Sequence, residues 1–116
     1  MEALLFSLDQ IKSPEELIFE QSPLGQIHAQ IPFEQLADCF RIYKPPRHKG
    51  GRRPHLSIEG GLGLMFLKHH LNLSDRMLVE RLNSDRFLQL FCFTQIPLHK
   101  PIRDQDLMGR WRRFFG

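Results

Sequence analysis

The chain has 116 residues, which is room for one small domain and little else. Its composition, 41% hydrophobic and 25% charged with ten phenylalanines, is that of a folded protein with a modest core and excludes a disordered tail. The formal charge of +3 hides a division: residues 1–40 hold seven acids and one base, a formal −6, and residues 41–116 hold fifteen bases and six acids, a formal +9.

So strong an asymmetry between halves points to a surface that meets a polyanion. No stretch approaches the ~18 uncharged apolar residues of a membrane span. Met1-Glu2-Ala3-Leu4-Leu5-Phe6 opens with an acid and lacks the basic start of a secretory signal, so a cytoplasmic protein with no membrane partner is expected. Cys39 and Cys92 stand far apart, without a second Cys at metal-binding spacing, and read as two reduced core thiols.

Residues 1–12 form a short mixed segment that reads as a helical arm. Ser13-Pro14-Glu15-Glu16 is a helix start: Ser13 caps, Pro14 takes the first helical position and Glu16 closes a capping box. The helix passes through Leu17, Ile18 and Phe19, and Gln21-Ser22-Pro23-Leu24-Gly25 reads as its break. Ile31-Pro32-Phe33-Glu34 starts another, with Phe33, Leu36, Ala37 and Phe40 on one stripe. Residues 41–55 form a basic loop: Arg41, Lys44, Arg47, Lys49, Arg52 and Arg53 with no acid among them, and prolines and glycines that forbid regular structure.

From Leu56 the helical pattern returns. Ser57 caps a helix to about His70 that is apolar on two sides, as a buried central helix would be. Gly60, Gly61 and Gly63 within it imply close approach of a neighbour, or else a helix that starts after Gly61. Leu71-Asn72-Leu73-Ser74 is a tight connection in which Asn72 suits a left-handed helix end and Ser74 caps the next helix, residues 75–83. There Leu78 and Leu82 face inward, and Arg76, Glu80 and Asn83 outward. Ser84 caps a further helix with Phe87, Leu90 and Phe91 on one side. Asp104 caps a last helix through Leu107, Trp111 and Phe115. The expectation is an all-α bundle of five or six short helices in one domain. Its acidic segment is residues 1–40, its basic loop residues 41–55 and its helix-turn-helix-like segment residues 56–116.

Two helices joined by so short a turn are compatible with a DNA-reading unit whose second helix enters the major groove. Arg76, Arg81 and Asn83 suit that task, since Arg pairs with guanine and Asn with adenine. The same pattern also fits an ordinary helix pair in which Arg76 and Glu80 make an i, i+4 ion pair. The basic loop suits phosphate contacts through Arg41, Lys44, Arg47, Lys49, Arg52 and Arg53, or is a solvated linker. Phe114 and Phe115 either pack on the bundle or mark a chain that continues. Catalytic patterns are poor: adjacent His69 and His70 point to different sides, His48 and His55 lack a nearby acid, and no metal, nucleophile or phosphate-loop motif is present. A metal-dependent nuclease therefore ranks behind a DNA-binding module and behind a protein-interaction module built on the acidic helices and Phe114-Phe115.

Gly51-Arg52-Arg53-Pro54, the apolar helix after it, Leu71-Asn72-Leu73-Ser74-Asp75-Arg76, Arg81-Leu82 and the run from Phe87 to Phe93 together resemble the N-terminal domain of insertion-sequence transposases of the IS5 type. Ile31-Pro32-Phe33-Glu34-Gln35-Leu36 is similar to that family's opening. The resemblance covers roughly residues 24–113. It implies the DNA-binding portion of a transposase, truncated or partial, that recognises the terminal inverted repeats in double-stranded DNA. The charge split then turns the acidic residues 1–40 away from DNA, where a second protomer of a homo-oligomer is the expected partner. The family's catalytic half is a ribonuclease-H-like domain with an Asp, Asp, Glu triad and two divalent metals. No position here matches that triad. The resemblance thus implies a chain that is not itself an enzyme, with no cofactor of its own and magnesium only in a catalytic half.

Overall fold

The computed structural model describes residues 12–46 and 56–116, which hold seven α-helices and no strand. They are α1 (Pro14–Gln21), α2 (Pro23–Gln30), α3 (Phe33–Asp38), α4 (Ile58–Leu71), α5 (Asp75–Ser84), α6 (Arg86–Phe91) and α7 (Leu107–Phe115). The arm expected over residues 1–12 lies, except for Lys12, outside the described residues, as do residues 47–55 of the basic loop.

One device starts four of the helices. The hydroxyls of Ser13, Ser22, Ser57 and Ser74 each accept the amide three residues on, at 3.0–3.2 Å, and so satisfy a donor that the helix itself leaves unpaired. Ser22-Pro23 repeats the Ser13-Pro14 signature. What reads as a break after α1 is therefore the start of α2, an element the sequence pattern does not reveal. Two further caps differ from expectation. Ser84 ends α5, and Asp85 caps α6 by accepting from the amides of Phe87 and Leu88. Asp106 rather than Asp104 precedes α7, while Asp104 accepts from the Asp106 amide at 3.0 Å.

The core centres on α4, which packs against α3, α5, α6 and α7. Leu64 and Leu67 of α4, Leu78 and Leu82 of α5, Phe91 of α6 and Trp111 of α7 are all fully buried. Burying each such side chain contributes about 1.5–3 kcal/mol. The three α4 glycines lie inside the helix and are what lets these neighbours approach. A β-carbon on Gly60 would strike the Cys92 carbonyl, and one on Gly61 the indole of Trp111. One on Gly63 would stand 2.7 Å from the Phe91 carbonyl oxygen.

α1 and α2 pack on each other and on α6. At that junction His28 sits among Phe19, Phe33, Phe91 and Phe93, with ring centroids 4.7–5.5 Å apart. Phe114 and Phe115 at the end of α7 are half-buried and meet Phe40, 5.9 and 5.0 Å away, as well as Trp111. The terminal phenylalanines are thus packed within the chain. Of the two thiols, Cys92 is buried as expected, and burial pushes its pKa up; Cys39 is exposed, a correction to the core placement.

Candidate nucleic-acid interface

The turn between α4 and α5 is built by its own side chains. Asn72 takes the left-handed conformation with φ 52°, and Lys68 of α4 donates to the Leu73 carbonyl at 2.6 Å. Lys68 also pairs with Asp75 at 3.0 Å. Arg112 of α7 reaches the same carboxylate at 3.0 Å. Asp75, in the first turn of α5, therefore joins α4, α5 and α7. The Lys68 ammonium first, and then Arg112, hold its carboxyl below the usual carboxylate range.

α5 divides cleanly into two faces. Leu78, Val79 and Leu82 are buried, while Arg76, Met77, Glu80 and Arg81 are exposed. Arg76 pairs with Glu80 at 3.3 Å, and Arg81 stands 3.5 Å from Asp85. Exposed pairs of this kind contribute about 0.2–1 kcal/mol, so either Arg can exchange its acid for another anion at small cost.

Asn83 is different. Its amide nitrogen donates to the Ile102 carbonyl at 2.9 Å, and its amide oxygen accepts from the Ile102 N–H at 2.8 Å. Both ends of the group that would read an adenine are thus committed to the chain's own backbone. The outward, base-reading orientation expected for Asn83 is corrected to a clamp between α5 and the loop before α7. A period-3.6 pattern places Asn83 at the edge of the exposed face and cannot show the loop that comes to meet it.

Of the loop cations, Arg41 and Lys44 lie among the described residues and are exposed; Arg47, Lys49, Arg52 and Arg53 lie outside them. Arg41 joins Asp38 at 2.6 Å to Glu59 at 3.2 Å, so it bridges the end of α3 and the first turn of α4. Hydrogen bonds to these two carboxylates raise its pKa further. The basic stretch has no acid within it, but acids on either side reach back to its first member.

The sequence reading misses Lys100 and Arg103. Both are exposed on the loop before α7. Arg103 and Gln105 line one wall of a groove of about 260 Å³ whose other wall is Arg76, Val79, Glu80 and Asn83 of α5. Two bases spaced across a proline-containing loop carry no motif, so only the fold brings them beside α5. Among the described residues no three His, Cys, Asp or Glu side chains cluster as a metal site would require, and no helix is long and apolar enough to cross a membrane.

Comparison with known proteins gives a family and one relative. Residues 12–114 match the transposase domain family DUF772. A curated protein of Rhizobium meliloti, described as uncharacterized protein ORF8 in the nfe locus, is 26% identical over 102 residues, covering 88% of this chain and 47% of the relative. The chain thus spans about half the length of that relative. No solved structure matches. With nearly all of α1 to α7 inside the matched region, the chain belongs to the DUF772 transposase domain family.

Proposed function

We propose that this chain is the DNA-binding N-terminal portion of an insertion-sequence transposase of the IS5 type, and that it recognises terminal inverted repeats during DNA transposition. The observation that carries the reading is the exposed face of α5, with Arg76 and Arg81 presented after a tight turn, in a chain of a transposase domain family. α5 lies in a major groove, where Arg76 and Arg81 leave their exposed acid partners for base edges or phosphates. Lys44, Arg47, Lys49, Arg52 and Arg53 hold the sugar-phosphate backbone and supply affinity without sequence information. Arg41 keeps its place between α3 and α4 and contributes field rather than contact.

The phosphoryl-transfer chemistry belongs to an Asp-Asp-Glu catalytic domain with bound magnesium, and this chain supplies the site recognition. A second copy of the chain meets the acidic side, where Leu17 and Ile18 of α1 are exposed.

A titration of duplex DNA at several salt concentrations tests the reading. Affinity is expected to fall steeply with salt, with a slope of about −0.9 per phosphate contact. The double variant Arg52→Glu, Arg53→Glu is expected to abolish binding and leave the helical fold intact. Binding insensitive to salt, or untouched by the charge reversal, would sink the proposal.

A further inference from the structure

The loop between α6 and α7 has no helix or strand over residues 97–104, yet it is fixed at three points. The Ile96 N–H donates to the buried Gln89 side chain at 3.1 Å. Ile102 is held by both ends of the Asn83 amide. Arg110 bonds Asp104 at 2.8 Å. Ile96 and Ile102 are themselves buried. Between these anchors Pro97, Leu98, His99 and Lys100 are all exposed, in a turn closed by the Lys100 N–H on the Pro97 carbonyl at 3.0 Å. A loop so held loses little conformational freedom when something binds to it.

Its charges are also distinctive. Among the described residues, Lys100, Arg103 and Lys44 are the lysines and arginines with no described acid within 4 Å; every other one has such a partner. The groove that Arg103 shares with α5 contains two acids, Glu80 and Asp104, and each is already paired, with Arg76 and Arg110 respectively. Arg103 is left as the uncompensated charge on that wall.

We propose that the clamped loop is a second DNA contact of this chain, in which Lys100 and Arg103 hold backbone phosphates flanking the groove that α5 enters. Asn83 acts as the positioning residue that sets the loop against α5. The inference rests on the reading of α5 as a helix facing duplex DNA. It adds a site on the far side of the sequence from the basic stretch 41–53.

The test is a fluorescence titration of the full chain with a mixed-sequence duplex of roughly 30 base pairs across a salt series. The double variant Lys100→Gln, Arg103→Gln is expected to flatten the slope of log affinity against log salt by about 1–2, since each lost phosphate contact removes ~0.9. Lys12→Gln, which removes an exposed charge from the acidic segment, is expected to leave the slope unchanged. An unchanged slope in the double variant, with binding retained by the unaltered chain, overturns the loop contact and leaves the reading of α5 standing. An equal loss with Lys12→Gln reduces the effect to net charge and also overturns the loop contact. Failure of the unaltered chain to bind the duplex overturns both.

Discussion

Gly60 lies inside a helix, where Ala is intrinsically better by about 1 kcal/mol. Its neighbour is a carbonyl oxygen of the backbone at Cys92, which cannot rotate away as a side-chain tip could. Overpacking costs about 1–3 kcal/mol and wins. Gly60→Ala is therefore expected to lower the urea midpoint, with no loss of helix content below the transition. His28 supplies a second test. Burial among four phenyl rings lowers its pKa below 6.5, and the backbone of Phe91 opposes this only in part. The unfolded chain then takes up a proton near pH 6.5 that the folded chain still refuses. Stability is full above that pH and falls as pH drops from 6.5 towards the folded value. His28→Phe keeps a ring in the cage and is expected to flatten thermal stability between pH 7.5 and 5; a melt that stays as steep with pH would reject this role. The sequence marks His28 as one of six histidines and gives no sign of its cage, because Phe91 and Phe93 are far from it along the chain.

The helices are legible wherever a local rule is enough. Ser57 and Ser74 cap α4 and α5 as their positions suggest, and Asn72 turns left-handed between them. The three α4 glycines do admit close neighbours, as their presence within a helix implies. α2 escapes because Ser-Pro has two local meanings, a stop for the helix before it and a cap for the helix after it, and only the packing of α2 on α1 and α6 decides. Asn83 escapes for a similar reason: its partner is nineteen residues away. Asn83→Ala leaves the N–H and carbonyl of Ile102 without that partner, a cost of about 1–3 kcal/mol. Amide exchange is expected to quicken at α4 by the global loss and at Ile102 by more than that, since its N–H has lost its acceptor; exchange at Ile102 equal in both proteins would argue against the clamp.

The charge division of the sequence survives folding in altered form. All six acids of residues 56–116 are paired with a base, and each of those bases belongs to the same segment or is Arg41 beside it. Cation contacts from Lys68 and Arg112 depress Asp75, and Arg113 depresses Asp106. Their contribution is present above the ordinary value near 3.8 and is lost as pH falls through the lower folded values. Thermal melts from pH 5 to 2 are expected to show this loss, and Asp75→Asn is expected to reduce it. The residues proposed to face DNA are legible as a charge pattern around 41–53 and on α5. The loop carrying Lys100 and Arg103 is not, since its place depends on Asn83.

The packing of α1 and α2 on α6, away from the α4–α5 turn, has a consequence for the order in which the fold opens. α4 is enclosed by four helices, so its amides should exchange with solvent only when the domain unfolds globally. The pair α1 and α2 meets fewer neighbours and contains His28, whose protonation weakens its seat. Below pH 6.5 it forms the natural first opening unit, one that can release while the turn before α5 stays assembled.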